Sequence, residues 1–224
     1  KLKALGIDIM IFSLDSGDPA EHDRFRGKEG TFDHVMTAIP LAQKMGFNVA
    51  VNTTLHHKNI REDSMLRLFD RLQGFDIKVN TIFAAPSGNW HQRREYLLTP
   101  EDRAYYYDTL RKRYNFLNRD LENNISKDGC PAGKEIFYLD PAGQVFPCPF
   151  IHLSLGNLRK EKFADILKRV RSFKNPFFDA YSQKCLIAED ETFIDSYLDY
   201  VKDKPLPTDC APFFKGDPKA KTNS

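Results

Sequence analysis

The sequence contains no apolar run approaching the roughly 20 residues that a membrane-spanning helix needs. That absence excludes a bilayer-crossing helix and leads to the expectation of a soluble, cytoplasmic protein. Charge of one sign is not in excess either: 33 Lys and Arg stand against 31 Asp and Glu, a net +2. Neither nucleic acid nor an anionic membrane is therefore expected as a partner, since both are recognised by a concentrated basic surface. Cysteine is missing from the first 129 residues, and all four cysteines, Cys130, Cys148, Cys185 and Cys210, fall in the second half. Confinement to one half points to a site belonging to one domain. In an intracellular chain such cysteines serve as metal ligands more often than as disulfides. No initiator Met or signal segment opens the chain. Lys1 to Gly6 reads as the end of an amphipathic helix meeting a glycine stop, and an upstream piece is expected.

What is present in the front half is a repeated unit. Leu5-Gly6 leads into Ile7 to Asp15, Met45-Gly46 into Phe47 to Thr54, and Gln73-Gly74 into Phe75 to Phe83. Each is a helix stop at glycine followed by an apolar, β-branched run of strand length. Between them, 31–44 carries Val35, Ala38, Ile39 and Ala42 on one face, with Pro40 expected to turn or kink the helix. Residues 60–72 present Met65, Leu68, Phe69 and Leu72 in the same way. Strands alternating with helices predict an α/β fold built on a parallel sheet. Thr99-Pro100-Glu101-Asp102 is a helix start, with a capping hydroxyl and Pro at the first helical position. The helix is expected to run to about Leu121, and the polar stretch 122–129 to be the domain boundary.

The pattern changes after that boundary. Glu135 to Leu139 and Gln144 to Phe146 flank Asp140-Pro141-Ala142-Gly143, which predicts a β-hairpin. Two amphipathic helices follow, with faces Phe163, Ile166, Leu167, Val170 and Phe193, Ile194, Tyr197, Leu198. Residues 215–224 are polar and expected to be disordered. Cys130 enters the hairpin and Cys148 leaves it, so antiparallel pairing would bring the two sulfurs together. Four thiolates on one small domain suit a [4Fe-4S] cluster or a tetrahedral zinc. The lack of paired C-x-x-C knuckles weighs against zinc, while two disulfides or four unconnected buried thiols remain the plainer alternatives.

The order of these segments resembles the radical S-adenosylmethionine (SAM) enzymes. The resemblance is carried by Ile11-Phe12-Ser13-Leu14-Asp15-Ser16 with His22-Asp23-Arg24-Phe25-Arg26-Gly27 and Gly30-Thr31-Phe32, then by Val49 to Leu55 with Asn59. Behind these, Cys130-Pro131-Ala132-Gly133, Asp140 to Phe150 and Leu155-Gly156-Asn157-Leu158 resemble the auxiliary-cluster extension called SPASM or, when shorter, twitch. The family's C-x-x-x-C-x-x-C loop is absent, as is the cysteine block for a second auxiliary cluster.

The resemblance implies a partial (β/α)6 radical SAM barrel over 1–124, a twitch or SPASM domain with a hairpin and helices over 125–214, and a tail over 215–224. It implies SAM and one auxiliary [4Fe-4S] cluster as cofactors, and a peptide or small-molecule substrate. An electron donor such as flavodoxin or ferredoxin would be the partner. It assigns Ser13, Asp15, Arg26, Asn52, Thr54 and Ala85 to SAM, and Cys130, Cys148, Cys185 and Cys210 to the auxiliary cluster. Capping and loop-tying are the structural alternatives for the polar members of the first set. His56, His57 and His91 have no cysteine or carboxylate at ligand spacing and are expected to be solvated or core-lining. Without the three upstream cysteines, the polypeptide as given is expected not to cleave SAM. The competing reading is a non-catalytic iron-sulfur or zinc protein that recognises a peptide or partner.

Overall fold

The computed structural model describes residues 2–119, 130–173 and 184–215. The chain divides into two compact units, Lys1–Ala84 with Glu95–Asn123, and Ala85–Arg94 with Asn124–Ser224. The boundary read at 122–129 and most of the polar tail lie outside the described residues.

In the first unit, β1 (Ile9–Ser13) is followed by α1 (Pro19–Arg26) and α2 (Thr31–Lys44), then β2 (Asn48–Leu55), α3 (Asp63–Leu72) and β3 (Lys78–Phe83). The next helix, α4 (Pro100–Tyr105), starts on a capping box: the Thr99 hydroxyl accepts from Asp102 N–H, and the Asp102 carboxylate accepts from Thr99 N–H. It does not continue to Leu121 as expected. A π-helical turn over Tyr106–Leu110 leads into α5 (Arg111–Arg113), the helix stops at Tyr114, and Leu117–Arg119 forms strand β4. The reason is tertiary. Leu117 and Arg119 are buried while Asn118 between them is half-buried, and all three pair with Val79, Asn80 and Thr81. Pro40 lies inside α2 without ending it.

The four strands form one parallel sheet in the order β1-β2-β3-β4. Period-two alternation sorts their side chains. Val49, Val51, Thr53 and Leu55 with Val79, Thr81 and Phe83 are buried. Phe83 meets Tyr106 edge-on at 5.0 Å, and Tyr106 bonds Thr81 at 2.5 Å, so this face lies under the π-helical turn that follows α4. Burial pushes the Tyr106 hydroxyl up to about 12. The apolar side of α2 packs on β1 and β2, and Met65, Leu68, Phe69 and Leu72 of α3 are fully buried. Gly17 is required where the β1 loop crosses α3, because a Cβ there would sit 2.5 Å from Leu68 N and 2.6 Å from Ser64 O. The opposite sheet face is more open and polar. Fully parallel sheets usually bury both faces, so this second face is the one to examine for a ligand. Four parallel strands with helices confirm the α/β class.

In the second unit the hairpin forms as expected: β5 (Tyr138–Leu139) pairs antiparallel with β6 (Gln144–Phe146). Gly143 N–H closes the turn onto Asp140 O at 3.0 Å with a φ of +85° that favours glycine. After β7 (Leu153–Ser154), β8 (Gly156–Asn157) adds to β6. The helices α6 (Phe163–Arg171), α7 (Leu186–Glu189) and α8 (Glu191–Val201) follow, then β9 (Thr208–Asp209), paired in parallel with β7, and α9 (Ala211–Lys215). Phe193, Ile194, Tyr197 and Leu198 form a buried face, with Phe193 stacked on Tyr197 at 6.1 Å. Of the other expected face only Ile166 is fully buried, and Phe163 is exposed. Segment 85–94 belongs to this unit: Gln92 donates to Leu198 O at 3.1 Å, and Arg94 pairs with Asp195.

Candidate functional site

The open sheet face of the first unit carries a polar row. Ser13, Asn52, Asn80 and Asn118 occupy successive register positions across β1, β2, β3 and β4, and all are half-buried. Asn80 Nδ2 donates to Asn52 Oδ1 at 3.0 Å. Ser13 and Asn52 were expected as ligand contacts; Asn80 and Asn118 extend the same row. The signal for Asn80 was present in the apolar-polar alternation of its strand, whereas Asn118 was hidden by the helix reading.

Asp15 and Arg26 are occupied with each other. Arg26 Nη2 lies 2.5 Å from Asp15 Oδ2, and Asp15 Oδ1 accepts from Thr54 N–H at 2.9 Å. Asp15 N–H donates to Nδ1 of the fully buried His22 at 3.2 Å, and burial lowers the pKa of that imidazole. Asp23 accepts from Gly30 N–H at 2.5 Å and Phe32 N–H at 2.9 Å. Residues 22–32 therefore tie the β1 and β2 ends and the entry to α2 together, which is the structural role considered for Asp15, Arg26 and Thr54. Ala85 is buried, within the segment that belongs to the second unit.

The loop after β2 holds what sequence spacing missed. His57 does have a carboxylate partner: its Nδ1 is 2.7 Å from Asp102 Oδ2. The pair has no signature in sequence spacing, because 45 residues separate the two and only the fold joins them; the His57 side chain is 52% exposed, the solvated place expected of it. Asp102 is 2% exposed and also accepts from Arg61 Nε and Thr99 N–H, each at 3.2 Å. Burial alone would raise its pKa, but these bonds outweigh burial and hold it below the ordinary carboxylate value. His56 beside it is buried between Phe25 and Tyr96, and burial drops its pKa to about 4. His56 and His57 follow the carboxyl end of β2, the edge at which parallel βα proteins hold ligands. A cleft of about 700 Å³ lined by Asn48, Lys78 and Asn115 lies at the amino end instead.

In the second unit, Pro131 after Cys130 starts a turn that Lys134 N–H closes by donating to Pro131 O at 3.0 Å, and Gly133 N–H donates to Pro147 O at 3.0 Å, so the two ends of the hairpin meet. Cys130 is buried, and the Cys130 and Cys148 thiols are close enough for their charges to interact. Burial pushes the Cys148 thiol up to about 12, opposed by the backbone N–H groups of Phe150 and Ile151 directed at the sulfur. Buried sulfur met by backbone N–H donors suits a metal-bound thiolate, since a soft metal takes the place of the proton. The pair therefore fits an iron-sulfur cluster. Cys185 stands at the N-cap position of α7 without a side-chain capping bond and is half-buried; Cys210, buried, precedes α9 and donates its N–H to Ser154 O at 3.1 Å. All four cysteines are free thiols. Among the described residues no group of three His, Cys, Asp or Glu is placed to hold a single metal ion. The structure brings Cys130 and Cys148 together without gathering Cys185 and Cys210 into such a group. Near the pair, Tyr197 OH accepts from His152 N–H at 3.1 Å, and burial lowers the His152 pKa. Nδ1 of His91 is buried, consistent with a core-lining place.

Residues 130–187 match SPASM, an iron-sulfur cluster-binding domain. The matched span contains Cys130, Cys148 and Cys185, with Cys210 beyond it. The chain is similar to the AdoMet-dependent heme synthase of Methanosarcina barkeri, 23% identical over 201 residues that cover 78% of this chain and 57% of that protein. It is 24% identical over 215 residues to the AdoMet-dependent heme synthase of Nitratidesulfovibrio vulgaris, covering 83% and 58%. It is also 27% identical over 172 residues to the antilisterial bacteriocin subtilosin biosynthesis protein AlbA of Bacillus subtilis, covering 70% and 36%. The chain spans a little over half the length of the two heme synthases. No described helix is long and apolar enough to cross a membrane.

Proposed function

We propose that this chain, which carries the SPASM iron-sulfur domain of radical SAM enzymes and is related to such enzymes along most of its length, forms the later part of an enzyme acting on a heme precursor. The observation that carries the reading is the pair of buried Cys130 and half-buried Cys148 within the SPASM match, with N–H donors on the Cys148 sulfur. In this reading Cys185 and Cys210 complete the thiolate set of one auxiliary [4Fe-4S] cluster. The four-strand sheet is an arc of the (β/α)6 barrel. SAM and a catalytic cluster held elsewhere on the protein would supply the radical that starts the reaction.

The chain's own residues shape and orient. Ser13, Asn52, Asn80 and Asn118 offer short donors and acceptors from the open sheet face, which suit the ribose and amino-acid groups of SAM. Asp15, Arg26 and Thr54 hold the strand ends beneath them. A heme precursor is favoured over a peptide because the heme-synthase similarity covers more of the chain than the AlbA similarity does. An external electron donor of the flavodoxin or ferredoxin kind belongs to the same proposal.

The test is metal content and absorption after anaerobic reconstitution. About four irons per chain with a broad band near 400 nm, lost in Cys130→Ala and Cys148→Ala, is expected. Zinc without visible absorption would overturn the reading and favour a non-catalytic binding protein.

A further inference from the structure

The His57 and Asp102 pair has no part in the reading above. Asp102 stays ionised, so it can only accept, and the proton of a neutral His57 must sit on Nδ1. Nε2 is then the basic nitrogen. The His57 side chain is 52% exposed, and among the described residues Nε2 has no partner. The backbone beneath is fixed. His57 N–H donates to Tyr96 O at 3.0 Å, His56 N–H to Asn59 Oδ1 at 2.8 Å, and Asn59 Nδ2 to Thr54 O at 2.9 Å.

An imidazole whose Nδ1–H is held by a buried carboxylate is the usual arrangement of a metal-binding histidine, because the second bond fixes the ring and raises its basicity. One imidazole cannot retain a free metal ion, and no third ligand stands nearby among the described residues. A metal that arrives inside a macrocycle brings four nitrogens of its own and lacks only an axial ligand. Cations flank the site on the same loop. Lys58 Nζ stands 4.2 Å over the Tyr96 ring, and the Arg61 guanidinium 4.4 Å over Tyr105. Lys58 suits a ligand that bears carboxylates, whereas Arg61 already donates Nε to Asp102 and Nη2 to Glu101 O at 3.0 Å and braces the pair.

We propose that His57 ligates, through Nε2, the iron of a tetrapyrrole bound at the carboxyl edge of the sheet, with Asp102 positioning the ring. This rests on the heme-precursor reading and adds the residue that would recognise the metal. Iron-nitrogen coordination displaces water from the iron and changes no oxidation state.

The experiment titrates the full-length protein with ferric coproporphyrin and with metal-free coproporphyrin, following the Soret band. The expected result is a His-ligated ferric spectrum that is lost in His57→Ala and restored by added imidazole. Ferric affinity should fall at least about tenfold in His57→Ala and about tenfold in Asp102→Asn, while metal-free affinity stays unchanged. Equal ferric spectra in parent and His57→Ala, or no porphyrin binding by the parent, would overturn the proposal. The band near 400 nm, recorded first on the same cluster-loaded sample, separates the failures: its absence sinks the enzyme reading, and its presence without a His57-dependent spectrum sinks only the ligand assignment. Rescue by imidazole would not follow if His57 merely pinned the loop.

Discussion

Replacing Asp15 by Ala separates two roles that sequence left together, a direct contact to SAM and a tie between strands. The carboxylate is 4% exposed, pairs with Arg26 at 2.5 Å and accepts the Thr54 N–H at 2.9 Å. Losing a charged acceptor from a buried N–H costs about 1.5–3 kcal/mol. The Arg26 side chain is 33% exposed and can turn to water, so its share is discounted to about 1 kcal/mol or less. The expected destabilisation is about 2–4 kcal/mol, or a fall in Tm of roughly 5–15 °C for a chain of this size. Urea denaturation followed by far-ultraviolet circular dichroism measures it, and a double-mutant cycle with Arg26→Met isolates the pair. Asp15→Asn, which keeps an acceptor for Thr54, should recover about half. A stability within about 0.5 kcal/mol of the parent, with SAM affinity lost, would refute the argument and restore Asp15 as a ligand contact.

Gly17→Ala should destabilise by about 1–3 kcal/mol or more in the same assay, since its Cβ meets the α3 backbone rather than a side chain that could move. Thr99→Ala should cost about 1 kcal/mol by removing half of the α4 capping box. The Asp102 pKa is lower folded than unfolded, so its contribution is complete above the unfolded value of about 3.9 and fades as pH falls through the folded value. Acid titrations of parent and Asp102→Asn should therefore differ most near neutral pH and converge in acid; a constant gap would refute this. Phe69→Ala, which empties a fully buried site against Tyr114, should cost about 3–5 kcal/mol by urea denaturation.

Local pattern was enough for much of the fold. Glycine stops before apolar runs gave β1, β2 and β3, helical spacing gave the buried face of α3, and Asp140 to Gly143 gave the hairpin that joins Cys130 to Cys148. It failed at Leu117–Arg119, where three residues after a helix carry too little periodicity to signal a strand, and where pairing with β3 overrides local preference. It failed also for His57. Its carboxylate lies 45 residues away, and spacing rules see only neighbours on one element.

The sequence by itself determined the alternation of strands and helices, the turn chemistry and the confinement of cysteine to one half, because each is written in contiguous residues through propensity, period and covalent order. Only the tertiary structure decided that Asp15 pairs with Arg26, that asparagines from three strands align with Ser13, and that a buried Asp102 meets His57 Nδ1. Those outcomes depend on strand register and on which loops meet, and both are set by long-range packing and burial.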